Sequence, residues 1–246
     1  MEYIFLIPPV LIIVLVIVII LIFKVPGGKA EKYKNSDYAQ MSGNNYRDSK
    51  RDLGVRGEYL TFLELEKLPG NKLLLANLYI PKKSHGFTEI DFVVLAETGI
   101  YVIESKNLSG TITGAEGEKF WSQVLTQKTQ HSLYNPIWQN RGHMTALKNL
   151  LGFKSYSPFV SYIVFSDQSD IENVEIVSSN TYLVYRSSLF LHMRDQMSFR
   201  RKIFSQRDIN SMYKVLSRYA NPDERTKAAH LASVKANSQN DDYYLN

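Results

Sequence analysis

The sequence predicts a mixed α/β domain, because segments with helical periodicity alternate with short apolar runs that are typical of β-strands. Val55, Phe62 and Leu65 recur at helical spacing and predict an amphipathic helix. Two apolar runs follow at 87–95 and 100–106, with only a short turn between them, which is typical of a β-hairpin. We therefore expect the domain to open with a helix and a hairpin.

The alternation of helices and strands continues after the hairpin. A helix is predicted over 136–151, because Asn135 is a favourable N-cap, Pro136 a favourable first residue and Gly152 a favourable stop. Strands are predicted at 159–165 and 181–185, and helices at 187–197 and 205–219. The domain accordingly extends over residues 52–220, which is long enough to bury a core.

Three segments are expected to lack regular structure. Residues 24–51 are rich in Gly, Ser, Asn and Lys without an apolar period, which predicts a flexible linker. Residues 221–246 are polar and predict a loose tail. After the hairpin, Gly110, Gly114 and Gly117 are expected to lie in turns.

Two carboxylates and an ammonium interrupt the apolar strands of the hairpin, at Asp91, Glu104 and Lys106. Charges are costly inside a sheet, so they need a reason to be there. Because side chains alternate between the faces of a strand, Glu104 and Lys106 share one face and Ser105 points to the other. The alternative interpretation is a charge cluster at the strand ends that faces solvent.

The register of the hairpin decides whether these charges converge. A tight turn that pairs Ala96 with Gly99 places Asp91 opposite Glu104, with Cβ atoms roughly 4.5–5.5 Å apart. A bulge at Gly99 would shift the pairing by one residue and turn Glu104 away. In the first register the site suits Mg²⁺, with Mn²⁺ as the alternative ion, since hard cations take oxygen ligands.

Two helices contribute further candidates. Glu58 lies on the apolar stripe of the first helix, where an inward carboxylate needs a cation or hydrogen bonds; a glutamate that reaches solvent is the alternative. Gln139 and His143 stand four residues apart beside the core stripe of the second helix. On an amphipathic helix this spacing fits an ordinary polar shoulder beside the core stripe.

Together these residues resemble the nuclease-related domain (NERD) family. The motif residues follow the order and rough spacing of that family: Gly57, Glu58, Thr88, Asp91, Gly99, Glu104, Lys106, Asn107, Gly110, Trp121, Asn135, Pro136, Gln139 and His143. The resemblance covers about residues 52–165. It implies a restriction-endonuclease-like (PD-(D/E)xK) core, in which a mixed sheet is flanked by helices.

The resemblance also implies roles for these side chains. Asp91 and Glu104 would be metal ligands, and both would be catalytic. Lys106 would position the attacking water or stabilise the transition state, and Glu58 would complete the catalytic acidic cluster. Gln139 and His143 would flank the cleft and contact substrate.

The leading interpretation is therefore a Mg²⁺-dependent nuclease that hydrolyses nucleic acid, with DNA as the first expectation. A non-catalytic nucleic-acid- or protein-binding module is the alternative, and a lipid-surface scaffold is a third possibility. If Asp91 and Glu104 repel each other in a metal-free site, Glu104→Gln is expected to raise the melting temperature.

An uncharged apolar segment occupies residues 3–23. As a helix it would span about 31 Å, the thickness of a bilayer core, which predicts a single transmembrane helix. A cleaved signal peptide is disfavoured, because Glu2 is acidic and no small-residue cleavage site follows. The lysines that follow are Lys24, Lys29, Lys32 and Lys34. By the positive-inside rule we expect a cell-membrane protein with its N-terminus outside and its C-terminal domain in the cytoplasm.

Composition excludes several function classes. The chain has no Cys, which excludes disulfides, Cys-ligated zinc and thiol chemistry. It has neither a phosphate-binding loop nor a nucleophile elbow. The formal net charge of +5 is a mild bias towards polyanions. Candidates for phosphate contact are Lys119, Arg141, Lys148 and the basic run 200–202, with solvated surface charges as the alternative.

Overall fold

The computed structural model describes residues 28–83, 86–221, 223, 225–230 and 232. Its helices are α1 Lys29–Lys34, α2 Asp37–Ser42, α3 Tyr46–Arg51, α4 Leu53–Glu66, α5 Pro136–Leu150, α6 Arg186–Phe199 and α7 Gln206–Leu216. Its strands are β1 Lys72–Pro81, β2 Phe87–Ala96, β3 Gly99–Lys106, β4 Gly110–Ala115, β5 Phe120–Thr126, β6 Thr129–Tyr134, β7 Phe159–Phe165, β8 Ser169–Asp170, β9 Val174–Glu175 and β10 Thr181–Tyr185. A 3-10 turn, Ser217–Tyr219, follows α7. The predicted mixed α/β class is confirmed, as two mixed sheets flanked by helices.

The first sheet has the strand order β1-β2-β3-β7-β10. β1, β2 and β3 are antiparallel, whereas β3, β7 and β10 are parallel to one another. In the hairpin Ala96 pairs with Gly99 and Phe92 with Ile103, so the predicted register is confirmed and the bulge at Gly99 is excluded. Asp91 and Glu104 are the next residues of the two strands beyond the last pair.

Helices cover both faces of the first sheet. On one face α4 and α6 pack through side chains such as Phe62 and Leu189. On the other, α5 and α7 pack through Leu147 and Leu216. The predicted N-cap of α5 is confirmed, because the Asn135 side chain accepts the first free backbone N–H groups of that helix. The central strands are buried on both faces.

Residues 29–51 do not form the flexible linker expected from the sequence. They fold into α1, α2 and α3, and the rings of Tyr33 and Tyr38 are fully buried in the core. Tyr59 of α4 packs against both rings, at centroid distances of 4.6 and 5.8 Å. The expectation was wrong here because isolated tyrosines, without a period, supply the buried surface.

The C-terminal segment also differs in part from the expected loose tail. Residues 225–230 are helical, and the His230 ring meets Tyr79 edge-on at 5.5 Å. Within the described parts of the chain, no helix is both long and apolar enough to cross a membrane. The predicted transmembrane segment 3–23 lies outside the described residues.

The second sheet, ordered β6-β5-β4-β8 with β9 also paired to β4, was not predicted. Gly110 and Gly114 lie in β4 rather than in turns. A Cβ at Gly114 would come within 2.3 Å of the Trp121 ring, so this strand needs glycine to pack closely on β5. Gly110 has a φ of +79°, which favours glycine for conformational reasons.

Candidate active site

The site begins where the ladder between β2 and β3 ends. Asp91 lies one residue beyond the last backbone pair, and its Oδ2 accepts a hydrogen bond of 2.7 Å from the Ser105 N–H. On the other side of β2, Asn77 interrupts β1 with a φ of 50° and has no ladder partner. The sheet thus opens around Asp91 and leaves room for side chains in place of backbone hydrogen bonds.

Glu104 and Lys106 form the centre of the site. Their side chains share a face, as predicted, and Lys106 Nζ donates to Glu104 Oε1 at 2.6 Å. Lys106 also donates to Gln139 Oε1 at 2.9 Å. His143 Nε2 lies 2.9 Å from Glu104 Oε2, and its Nδ1 lies 2.8 Å from the Thr88 hydroxyl. The structure therefore brings Gln139 and His143 of α5 against the two charged residues of β3.

The ion pair in this centre is shielded from water. The side chains of Glu104 and His143 are each 3% exposed and that of Lys106 is 17% exposed. Burial alone would raise the pKa of Glu104, but the Lys106 ammonium and His143 outweigh it and lower the pKa to about 2. Burial alone would likewise lower the pKa of Lys106, and Glu104 and Asp91 raise it instead. At neutral pH this pair is fully ionised.

The pKa values of Asp91 and Glu58 are shifted upwards, in the direction opposite to that of Glu104. Burial, reinforced by the charges of Glu104 and Glu58, raises the pKa of Asp91 well above its usual range, although the Ser105 N–H and Lys106 oppose the shift. Burial also raises the pKa of Glu58, against hydrogen bonds from Tyr38 at 2.8 Å and Asn77 at 3.2 Å. Glu58 is thus inward, as predicted, and held by a hydrogen-bond network.

Glu89 is a fourth carboxylate that the sequence analysis missed. It accepts a hydrogen bond of 2.6 Å from the Tyr79 hydroxyl. Burial raises its pKa to about 7; the Tyr79 bond opposes this shift, while Glu58 and Glu104 add to it. A signal was present, since Glu89 precedes Asp91 by two residues in a strand. Tyr38 carried no signal, because it lies in the segment expected to be a linker.

A second hydrogen-bond network supports β3 from the opposite face. Ser105 Oγ lies 2.9 Å from the Thr61 hydroxyl, and Arg186 donates to Thr61 at 3.2 Å and to Asn107 at 2.8 Å. A Cβ at Gly57 would come within 2.3 Å of Asn107, so glycine is what lets α4 approach the end of β3. The network fixes the Ser105 backbone that binds Asp91.

Asp91 and Glu104 are the donors best suited to a metal ion. Asp91 Oδ1 receives no hydrogen bond from the described residues. Both Glu104 oxygens already accept bonds, yet a carboxylate offers about four acceptor sites, so each oxygen can still ligate. Within the described ranges, no group of three or more His, Asp or Glu side chains is arranged to hold a metal ion. Two carboxylates plus water suit Mg²⁺, which usually keeps several waters.

This mixed sheet, with an Asp where the β2–β3 ladder ends and Glu-x-Lys at the end of β3, fits a nuclease-like core. Comparison with protein families supports that class, because residues 53–166 match the sequence model of NERD, the nuclease-related domain. The match covers the α4–β7 segment that carries all six predicted site residues: Glu58, Asp91, Glu104, Lys106, Gln139 and His143. It supports a nuclease-related function at the level of the domain.

One relative is an uncharacterized protein of Bacillus anthracis, which is 32% identical over 137 residues. The aligned region makes up 55% of this chain and 63% of that protein. This chain thus spans somewhat less than two thirds of the relative. No solved structure matches the chain.

Proposed function

We propose that this protein is a membrane-anchored, metal-dependent nuclease that hydrolyses phosphodiester bonds of nucleic acid on the cytoplasmic side. The observation that carries the proposal is the position of Asp91 beside the buried Glu104–Lys106 ion pair. The family match over the same residues gives it independent support. DNA is the first substrate to test, with RNA second.

Asp91 and Glu104 would hold the cation, Mg²⁺ or Mn²⁺. When bound, it would neutralise phosphate charge and lower the pKa of a water molecule. The raised pKa of Asp91 supports this assignment, because a carboxylate that is costly to ionise gains most from an added positive charge.

The other side chains would act on the substrate and on each other. Lys106 stays protonated and would donate hydrogen bonds to the negative charge that develops on phosphate. Gln139, at 2.9 Å, would hold the Lys106 ammonium in place and contact the substrate. His143 would orient Glu104 through their 2.9 Å contact, and Glu58 would add negative charge near Asp91.

Asp91→Asn gives the sharpest test of catalysis. The amide oxygen can still accept the Ser105 N–H, so the fold is retained while a metal ligand is weakened. We expect Mg²⁺-dependent cleavage of a panel of DNA and RNA substrates to fall by about 10²-fold or more. Lys128→Ala, at an exposed lysine between β5 and β6, is the matched control and should remain fully active. Undiminished cleavage by pure Asp91→Asn protein would contradict the assignment.

The side of the membrane on which the domain lies is tested separately. Residues 3–23 would anchor the chain, with the domain in the cytoplasm. A reporter fused after Asn246 should then be resistant to protease added outside intact cells. Digestion of that reporter would refute the orientation without affecting the catalytic proposal.

A non-catalytic binding module is the second candidate. It is favoured by one observation, that Lys106 and His143 already engage both oxygens of Glu104. This candidate predicts nucleic-acid binding that does not require Mg²⁺ and no cleavage under any condition. Binding and cleavage measured on the same substrates therefore separate the two functions.

A further inference from the structure

An exposed apolar and basic segment lies at the end of the sheet opposite the candidate active site. Phe199, the last residue of α6, is 87% exposed, and Ile203 is 48% exposed. Between them lie Arg200, Arg201 and Lys202, the basic run noted in the sequence. We call residues 199–203 the 199–203 loop. The 199–203 loop thus presents two large apolar side chains together with the exposed cations Arg201 and Lys202.

The 199–203 loop is held in one conformation. The backbone N–H groups of Ile203 and Phe204 donate to the Glu97 carbonyl at 2.7 and 3.0 Å. Lys202 Nζ pairs with the Glu97 carboxylate at 2.7 Å, and the Phe204 ring packs on Phe153 at 6.0 Å. The C-terminal part of the 199–203 loop is therefore anchored to the turn of the β2–β3 hairpin.

The charge around the 199–203 loop is mostly uncompensated. Glu97 neutralises Lys202, while Arg201 is exposed and forms no ion pair with any residue that the structure describes. The half-buried Arg200 side chain donates to the Thr98 carbonyl, at 3.5 Å. Two guanidinium groups thus follow an exposed phenyl ring in the chain, which suits a surface that is apolar inside and anionic outside.

We propose that the 199–203 loop contacts an anionic lipid surface. Phe199 and Ile203 enter the boundary between headgroups and acyl chains, and the guanidinium groups contact lipid phosphates. Lipid is favoured over nucleic acid because the loop lies about 20 Å along β3 from Glu104, at about 3.3 Å per residue. A bilayer at the hairpin turn leaves the candidate active site open, and this inference does not depend on the nuclease activity.

A single fluorescent label tests this contact in the full-length chain. Because the chain has no Cys, Ser198→Cys provides one thiol beside Phe199 for a polarity-sensitive dye. The labelled protein is reconstituted in vesicles of phosphatidylcholine alone, or of equal parts phosphatidylcholine and phosphatidylglycerol. Lipids with brominated acyl chains then report direct contact by quenching. Val177→Cys is the matched control, since Val177 is 91% exposed and its backbone N–H is held by Glu116.

In anionic vesicles we expect blue-shifted, quenched emission from the label at position 198 and neither change at 177. Phe199→Ser should abolish the quenching, and Arg201→Gln should weaken the contact about fivefold. Neutral lipid removes the attraction for both guanidinium groups and should weaken the contact about 25-fold. Ile203→Ser tests the apolar contact at another exposed position and should also reduce the quenching.

Absence of quenching at 198, equal quenching at both positions, or quenching that survives Phe199→Ser overturns the proposal. A label at 198 that responds to DNA or RNA but not to anionic lipid overturns it as well.

Discussion

Two conservative amide substitutions, Asp91→Asn and Glu104→Gln, are expected to change the stability of the metal-free domain in opposite directions. The pKa of Glu104 falls from 4.5 to about 2 because Lys106 and His143 stabilise its charge against the effect of burial. At about 1.4 kcal/mol per pH unit, this corresponds to about 3 kcal/mol of folding free energy at neutral pH. Glu104→Gln should forfeit that contribution, and it also leaves the buried Lys106 ammonium poorly paired.

The ionised Asp91 side chain destabilises the folded domain instead, because burial and neighbouring carboxylates raise its pKa. Two unit charges about 5 Å apart repel by about 3 kcal/mol at an effective dielectric of about 20, which is an upper bound because Lys106 attracts both. Asp91→Asn removes the repulsion and keeps an acceptor for the Ser105 N–H. We therefore expect it to stabilise the domain by about 1–3 kcal/mol at neutral pH.

The pH dependence separates the two effects. The Glu104 contribution is complete above its unfolded pKa of 4.5 and is lost as the pH falls towards 2. The cost of Asp91 is absent below its unfolded pKa of 3.8 and grows as the pH rises through its folded pKa. The gain from Asp91→Asn should thus disappear in acid, as should the loss from Glu104→Gln.

Urea unfolding in EDTA, on a fragment that begins at Gly28, measures both differences in the free energy of unfolding. In thermal unfolding of a domain of this size, each kcal/mol should move the melting temperature by about 2–4 °C. Asp195→Asn is the control, because that carboxylate is 54% exposed and pairs with Arg194 at the surface. Its effect should stay within about 0.5 kcal/mol. If Asp91→Asn lowers the stability at neutral pH, the proposed electrostatics are wrong.

Two further predictions concern metal binding and the N-terminal helices. Mg²⁺ or Mn²⁺ at 100 times its dissociation constant should stabilise the wild-type domain by about 2.7 kcal/mol and leave the stability of Asp91→Asn almost unchanged. Melting curves and calorimetry measure both effects. An unchanged melting temperature of the wild type, without detectable binding, would contradict the metal site. A fragment that begins at Lys50 lacks the buried Tyr33 and Tyr38 and should lose at least about 3 kcal/mol relative to one that begins at Gly28, so equal urea midpoints would be inconsistent with their packing.

The parts of the fold that were predicted correctly depend on local sequence. The β2–β3 register follows from a tight turn between two apolar runs, and it determines which residues share a face. The ends of α5 follow from Asn135 and Gly152, whose side chain and conformation act within one turn. Because the register was correct, Asp91 could be placed next to Glu104 without a structure.

The parts that were missed depend on contacts between distant segments. No local pattern around Tyr33 and Tyr38 predicts their burial, which results from packing against α4 and the sheet. The expectation for Glu104→Gln also left out a distant contact, because α5 brings His143 within 2.9 Å of Glu104. Together with the Lys106 ion pair, this contact favours a loss of stability, and the urea measurement decides between the two signs.

Glu104 and Asp91 have different electrostatic surroundings, and this difference explains how the site can be stable without a metal ion and still favour binding one. Glu104 receives the nearby positive charge and anchors β3 to α5. Asp91 lies near Glu58 and Glu104 where the β2–β3 ladder ends, with its pKa raised and one backbone donor among the described residues. The folded domain therefore keeps its ion pair without a ligand, while the electrostatic cost is concentrated on one carboxylate. A divalent cation that contacts Asp91 would relieve that cost, which couples metal binding to the stability of the domain.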